Sequence, residues 1–573
     1  MHILNQLRTN ELKMKFFRYF IALSFLSIIA CKNNKPKPFP ELASLDLLRG
    51  ELLLCSTEQF GEVNFSLSCN YETRVTFDLA LSLLHSFEYA EAEKAFVKVI
   101  DADPECAMAY WGVAMSIYHG LWAPPGPSEL IKGSKLLDIA ESLPKSKRAE
   151  QYIDAIKVFY KDWQTIDHST RESLYEKKME QIYSSNRDDT EAAIFYALAI
   201  RAAADPNDKT YAKQIKSGKI LEDLFIEQPN HPGIAHYIIH NYDYPELAQM
   251  GLTTARRYAE IAPASAHAQH MPSHIFTRLG LWQESIDTNI NSASSAVCYA
   301  ESIDPEANWA AEIHAVDYLV YAHLQMGDNQ KAVEQLKEMQ TVKDVFPKDD
   351  FAATYALTAM PIRMALENKN WEEAAKLELP SIDFPWDKLH WEKAMFHFGK
   401  ALGYSHTGDI KSAETELQTL KTLHQNLLET KEAYKAGQVN IQVNASQAWI
   451  ELAKGNNDKA LAHMKNAALL ESETSKHPVT PGEVLPADEL LGDMLLALNK
   501  PVEALAAYEV NLKGHPNRFN GLYGAAVASK QSGNLEKAEI YFNQLIKLTK
   551  NSNSNRQEII EAKKYLNKSK MTI

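Results

Sequence analysis

From about residue 70 to the C-terminus, apolar residues return every three or four positions, in runs such as LLHSFEYAEAEKAF and CAMAYWGVAM. That spacing predicts amphipathic helices, and strand-like alternation is nearly absent. Short polar turns divide the runs, each followed by a helix bearing a small residue: MGDNQKA ending at Ala332, NKNWEEA at Ala374, TGDIKSA at Ala413, KGNNDKA at Ala460, LNKPVEA at Ala504 and SGNLEKA at Ala538. The steps between those alanines are 42, 39, 47, 44 and 34 residues. Residues 122–133, 377–388 and 471–486 carry the prolines of loops and are expected to lie over the helices.

The runs share a period. Leu79, Ala92, Phe96, Val99 and Pro104 fall at relative positions 7, 20, 24, 27 and 32 of one unit. In another, Leu491-Gly492, Ala504, Tyr508 and Pro516 fall at 7–8, 20, 24 and 32. Ala538 and Phe542 follow Ala504 and Tyr508 by 34 residues. The pattern resembles the tetratricopeptide repeat, in which small residues let two helices approach and a proline ends the second. The expected fold class is therefore an all-α tetratricopeptide-repeat solenoid, a superhelix of antiparallel helix pairs. Its expected segments are 1–30 (leader), 31–69 (tether and N-terminal segment), 70–231 and 232–345 (N-terminal and central repeats) and 346–573 (C-terminal repeats).

Composition narrows the function. The 573 residues are 45% hydrophobic with 22 Gly and 24 Pro, which excludes wholesale disorder and collagen. The net charge of −14 and the lack of a basic stripe argue against nucleic acid as a partner.

Lys13, Lys15 and Arg18 precede a short apolar run, Tyr19 to Ala30, that ends Ile28-Ile29-Ala30-Cys31. The run is short for a membrane span and suits a signal peptide. The junction resembles a bacterial lipobox, which implies cleavage before Cys31 and lipidation of that cysteine. The start is Met1 or Met14. The expectation is an exported lipoprotein, anchored to a membrane by lipid on the periplasmic or cell-surface side. Such a compartment permits disulfides. Cys55 and Cys69 are then either a bridge or two free thiols, and Cys106 and Cys298 read as small core residues.

Six of the 19 histidines fall between His231 and His274. With Pro263 at position 32, a unit starts at Pro232, and His236, His240 and Asp243 take positions 5, 9 and 12. The next unit starts at Ala266, with His267, His270 and His274 at 2, 5 and 9. Anchoring the following unit on Ala332 starts it at Ile313, with His314 at 2, Asp317 at 5 and Tyr321 at 9. In proteins resembling this repeat those positions line the concave groove. The expected arrangement is a two-by-two array of His236, His240, His270 and His274 facing one pocket.

Three readings of that lattice stay open. Paired His-x-x-x-His on adjacent helices with carboxylates suits a divalent transition metal, Zn, Fe, Mn or Cu. The candidate ligands are His236, His240, His267, His270, His274, His314, Asp243 and Asp317. The other readings are a polar binding groove and metal-free catalysis. His231, outside the groove positions, reads as a residue at a helix start. Glu483 and Glu489, beside the proline-rich loop, read as solvated carboxylates.

The phrases HPGIAHYIIH, HAQHMPSHIFTRLG and HPVTPGEVLPADELLGDMLLALNKPVEALAAYE resemble a family of exported bacterial tetratricopeptide-repeat proteins over most of residues 60–550. The resemblance implies fold and register and carries no established activity. In one respect the chain departs from it: Asp317 stands where a second histidine is expected after His314. The leading functional expectation is a lipid-anchored scaffold whose concave groove binds a protein, a peptide or a small ligand. A metal-dependent enzyme and a glycan-binding lipoprotein resembling the starch-utilisation outer-membrane family are the alternatives.

Overall fold

A computed structural model describes residues 39–54, 60–121, 124–475, 477–552 and 554–571. The leader, Cys31, Cys55 and Trp122 lie outside the described residues.

Antiparallel helix pairs run from Arg74–His85 and Tyr89–Ala102 to Phe519–Gln531 and Leu535–Leu548, and Gln557–Met571 closes the series. Extended structure among the described residues is a two-residue parallel bridge, Asn308–Trp309 with Val345–Phe346. None of the described helices is long and apolar enough to cross a membrane.

The polar turns work as the sequence predicts. Gly408 and Gly533 adopt φ of +84° and +81°, and the Asp409 and Asn534 side chains that follow cap the next helices. In NKNWEEA a lysine, Lys369, takes the same left-handed conformation, with φ of +52°. The small positions of the repeat also do what their spacing implies. A Cβ on Gly492 would meet the Tyr508 ring at 2.7 Å, and one on Gly524 would meet it from the next pair at 2.3 Å.

Both readings of Cys69, a bridge to Cys55 and a free thiol, are corrected. Cys69 is bonded to Cys106, with Cα atoms 5.0 Å apart. The reason is topological. Cys69 precedes the first helix, Arg74–His85, and Cys106 precedes the third, Ala107–Tyr118. Alternate helices in such a stack point the same way, so their starts lie side by side. Cys298 is disulfide-bonded as well, so neither Cys106 nor Cys298 is a plain core residue.

The C-terminal pairs return to the central ones. Trp282 Nε1 donates to the Asn517 carbonyl at 2.8 Å, and Phe519 N–H donates to Gln325 Oε1 at 3.1 Å. The segment 479–482 is held by central side chains: Tyr318 donates to the Val479 carbonyl, Arg278 to Pro481 and Arg363 to Gly482. Beside it, Glu483 and Glu489 are not solvated. Glu483 accepts from His515 at 2.9 Å, and Glu489 is paired with buried Arg518.

Candidate functional site

The groove histidines sit on three first helices. Pro232–Tyr242 starts at the proline that the register chose, with proline at a position where its missing N–H costs nothing. The second helix also starts where expected, at Ala266, capped by Ser265; it is interrupted at Met271-Pro272 and continues as Pro272–Leu279. The third begins at Ala310, three residues before the expected start.

The two-by-two array is replaced by two triads. In the first, His236 Nε2 lies 3.0 Å from His240 Nε2 and 3.1 Å from His267 Nε2. In the second, His270 Nε2 lies 3.0 Å from His274 Nε2, and His314 completes the set. Within each triad one nitrogen from every ring lies within 4.8 Å of the others. The i,i+4 pair on each helix thus closes on a histidine of the next helix, and the two pairs do not share a single centre.

Neighbouring groups fix which nitrogen carries the proton. His236 Nδ1 faces the His85 carbonyl at 2.6 Å and must donate to it. His274 Nδ1 donates to Asp243 Oδ2 at 2.9 Å, and Arg278 pairs with the same carboxylate at 3.2 Å. His270 Nδ1 faces Asn289 Oδ1 at 2.7 Å; the Asn289 amide nitrogen donates to the Ser285 carbonyl, so its oxygen is the acceptor. The Nε2 atoms of His236, His270 and His274 are therefore lone-pair atoms. In the second triad the two Nε2 atoms face each other at 3.0 Å. A proton is disfavoured in the first triad: burial drives the His236 pKa down to about 3, and burial with the neighbouring imidazoles holds His240 and His267 well below the usual value.

Two expected ligands have other roles. Asp243 orients His274 through its far nitrogen. Asp317 is taken up by a buried ion pair with Arg363, away from the triads, because the earlier helix start rotates it off the groove line. His231 is not a bland helix start either. It is buried, and its Nε2 lies 3.0 Å from Glu191 Oε1, while His85 Nε2 lies 3.1 Å from Glu191 Oε2. Burial raises the Glu191 pKa, but the two imidazoles outweigh it and hold the carboxyl well below its usual range.

Aromatic rings cover the triads. Phe87 has a φ of +59°, unusual for a bulky side chain, and its ring centroid lies 4.3 Å from His236, 5.5 Å from His240 and 5.6 Å from His267. Tyr318 lies over the second triad, its centroid 4.7, 5.3 and 5.4 Å from those of His270, His274 and His314. A cavity of about 390 Å³ is walled by Phe87, Tyr89, Trp309, Lys132 and one histidine of each triad, His267 and His314.

Sequence reasoning passed over Phe87, Asn289, Glu191, His85 and Tyr318. Only Tyr318 left a usable signal: it follows His314 by four residues, the spacing of both histidine pairs. Trp111, by contrast, is core, packed against Phe65, Tyr152 and Phe195.

Residues 77–120 and 520–552 match models of the tetratricopeptide repeat. Together with the helix-pair architecture, these matches make the chain an all-α tetratricopeptide-repeat solenoid. No curated protein sequence matches it. Among solved structures, the human IFIT1 dimer with PPP-AAAA is 13% identical, with a TM-score of 0.34 over 84% of this chain and 96% of that one. The APC/C hetero-tetramer Cut9–Hcn1 is 12% identical, with a TM-score of 0.30 over 86% and 89%.

Proposed function

We propose that this chain is an exported, lipid-anchored scaffold that binds divalent transition metal at the two histidine triads and presents it to a ligand or protein partner in the groove. The observation that carries the metal reading is the convergence of three imidazole nitrogens in each triad, with the His270 and His274 rings held from their far sides by Asn289 and Asp243. Three imidazoles with an open position form a common donor set for Zn and for other first-row ions. The anchor rests on the Ile28-Ile29-Ala30-Cys31 junction.

A metal-dependent enzyme is the second reading. The cavity between the triads favours it, because one chamber touches a ligand residue of each.

Elemental analysis of untagged protein, before and after chelation and reloading, tests the proposal. Wild type should hold two ions per chain. His236→Ala and His270→Ala should each lose one, and His463→Ala, outside both triads, should lose none. No uptake of Zn, Mn, Fe or Cu by wild type overturns the reading.

A further inference from the structure

We propose that Tyr318 completes the second triad as a fourth ligand, making a three-imidazole, one-phenol site that takes an oxidised first-row ion, Fe(III) or Cu(II). The proposal rests on the metal reading above and adds a ligand and a metal class to one of its two centres.

Register is the first argument. Counting from the helix starts, His236 and His240 are the fifth and ninth residues of Pro232–Tyr242, and His270 and His274 are the fifth and ninth from Ala266. In Ala310–Gln325 the fifth and ninth residues are His314 and Tyr318. Tyr318 thus stands where the two earlier helices place their second imidazole.

Distance is the second. Metal–ligand bonds of about 2.0–2.1 Å at tetrahedral angles place neighbouring donor atoms about 3.3–3.4 Å apart. His270 Nε2 and His274 Nε2 are 3.0 Å apart, and Tyr318 Oη and His274 Nε2 are 3.5 Å apart, on either side of that value.

Hydrogen bonding is the third. The Tyr318 hydroxyl donates to the Val479 carbonyl at 3.1 Å. Its proton is spent there, so the oxygen turns a lone pair toward His274 Nε2, which itself presents one. The phenol oxygen and the His274 nitrogen thus lie within reach of one ion.

The chemistry then selects the ion. A cation on the phenol oxygen acidifies it. The phenolic proton leaves to solvent, the hydrogen bond to Val479 is given up, and an O–metal bond takes its place with no change in oxidation state. A phenolate is a hard, anionic donor and favours a highly charged or oxidised ion over Zn(II). Arg278 and Arg363 are each paired with a carboxylate, Asp243 and Asp317, so it is the ion's own charge that stabilises the phenolate. In the first triad the ring packed against all three histidines is Phe87, which carries no oxygen.

The test uses untagged full-length protein, stripped by chelator and titrated separately with Cu(II) and with Fe(III) supplied as its citrate complex. A phenolate-to-metal charge-transfer band should appear in the visible and saturate at one ion per chain. Tyr318→Phe should lose the band and keep both ions, with about tenfold weaker binding at one site. A wild type that holds two ions without the band, or a Tyr318→Phe protein that keeps it, overturns the proposal. A wild type that takes up no ion at all overturns the metal reading and this one with it. Should Tyr318→Phe fail to fold, resonance Raman of the wild-type complex decides: tyrosinate ring modes support the ligand, and imidazole modes alone refute it.

Discussion

Two kinds of buried histidine cluster lie side by side in this solenoid. In His85–Glu191–His231 a carboxylate sits between two imidazoles, and each Nε2 has an oxygen to bond. In the triads the Nε2 atoms meet one another. Both clusters offer three metal-ligating side chains within reach of one ion. Electrostatics separates them. The first carries its own counter-charge; the second holds imidazole nitrogens against one another, and on the metal proposal a cation completes it. The two are also joined, since the His85 carbonyl receives the His236 Nδ1 proton. The His85–Glu191–His231 cluster thus orients a ring of the first triad. Residue type and proximity are the same in both, and what differs is the partner each ring nitrogen meets.

The largest expected effect breaks the self-contained cluster. Glu191→Ala leaves two buried imidazoles without their acceptor, a loss of about 3–5 kcal/mol of stability by analogy with broken buried pairs. Urea denaturation reads it, while metal content should stay at the wild-type value. A variant that keeps its stability and loses both ions would erase the distinction. The depressed carboxyl also fixes a pH dependence. The folded state favours ionised Glu191, so its contribution is full above the ordinary carboxyl value of 4.5 and fades as pH falls below it. Glu191→Gln should lack that part of the acid-induced loss.

How far the sequence reached depends on what each position encodes. The starts at Pro232 and Ala266 were legible because a proline and a capping serine mark them and because the histidine pairs repeat at 34 residues. The third start was missed because it was counted back from Ala332 in the second helix. The first helix there has 16 residues, against 11 in Pro232–Tyr242, so a fixed offset lands three residues late. That slip put Asp317 on the groove line and hid Tyr318. The split into two triads, the Glu191 cluster and the Cys69–Cys106 bond depend on how helices stack, which no local pattern states.

The next effect separates the triads from each other. Asp243 supports the second through His274. Asp243→Asn should weaken metal at the second triad about 10- to 100-fold, the usual cost of removing a charged group that orients a ligand. Competition against a chromogenic chelator should show one weakened site and one unchanged. Equal weakening at both would mean that the triads behave as a single centre.

The smallest effect grades the supports within one triad. His270 and His274 point at the same spot, yet one is held by an amide and the other by a carboxylate. A neutral hydrogen bond contributes about 0.5–1.5 kcal/mol, and one to a charged group about twice that. Asn289→Ala should therefore weaken the second site by only about 3- to 10-fold, less than Asp243→Asn does, and leave the first site alone. The freed Nδ1–H of His270 loses its acceptor without leaving a buried charge, unlike Arg278 when Asp243 is neutralised. The same chelator competition measures both variants. If Asn289→Ala proves as damaging as Asp243→Asn, ring orientation alone sets affinity, and the charge on Asp243 adds nothing to the second triad.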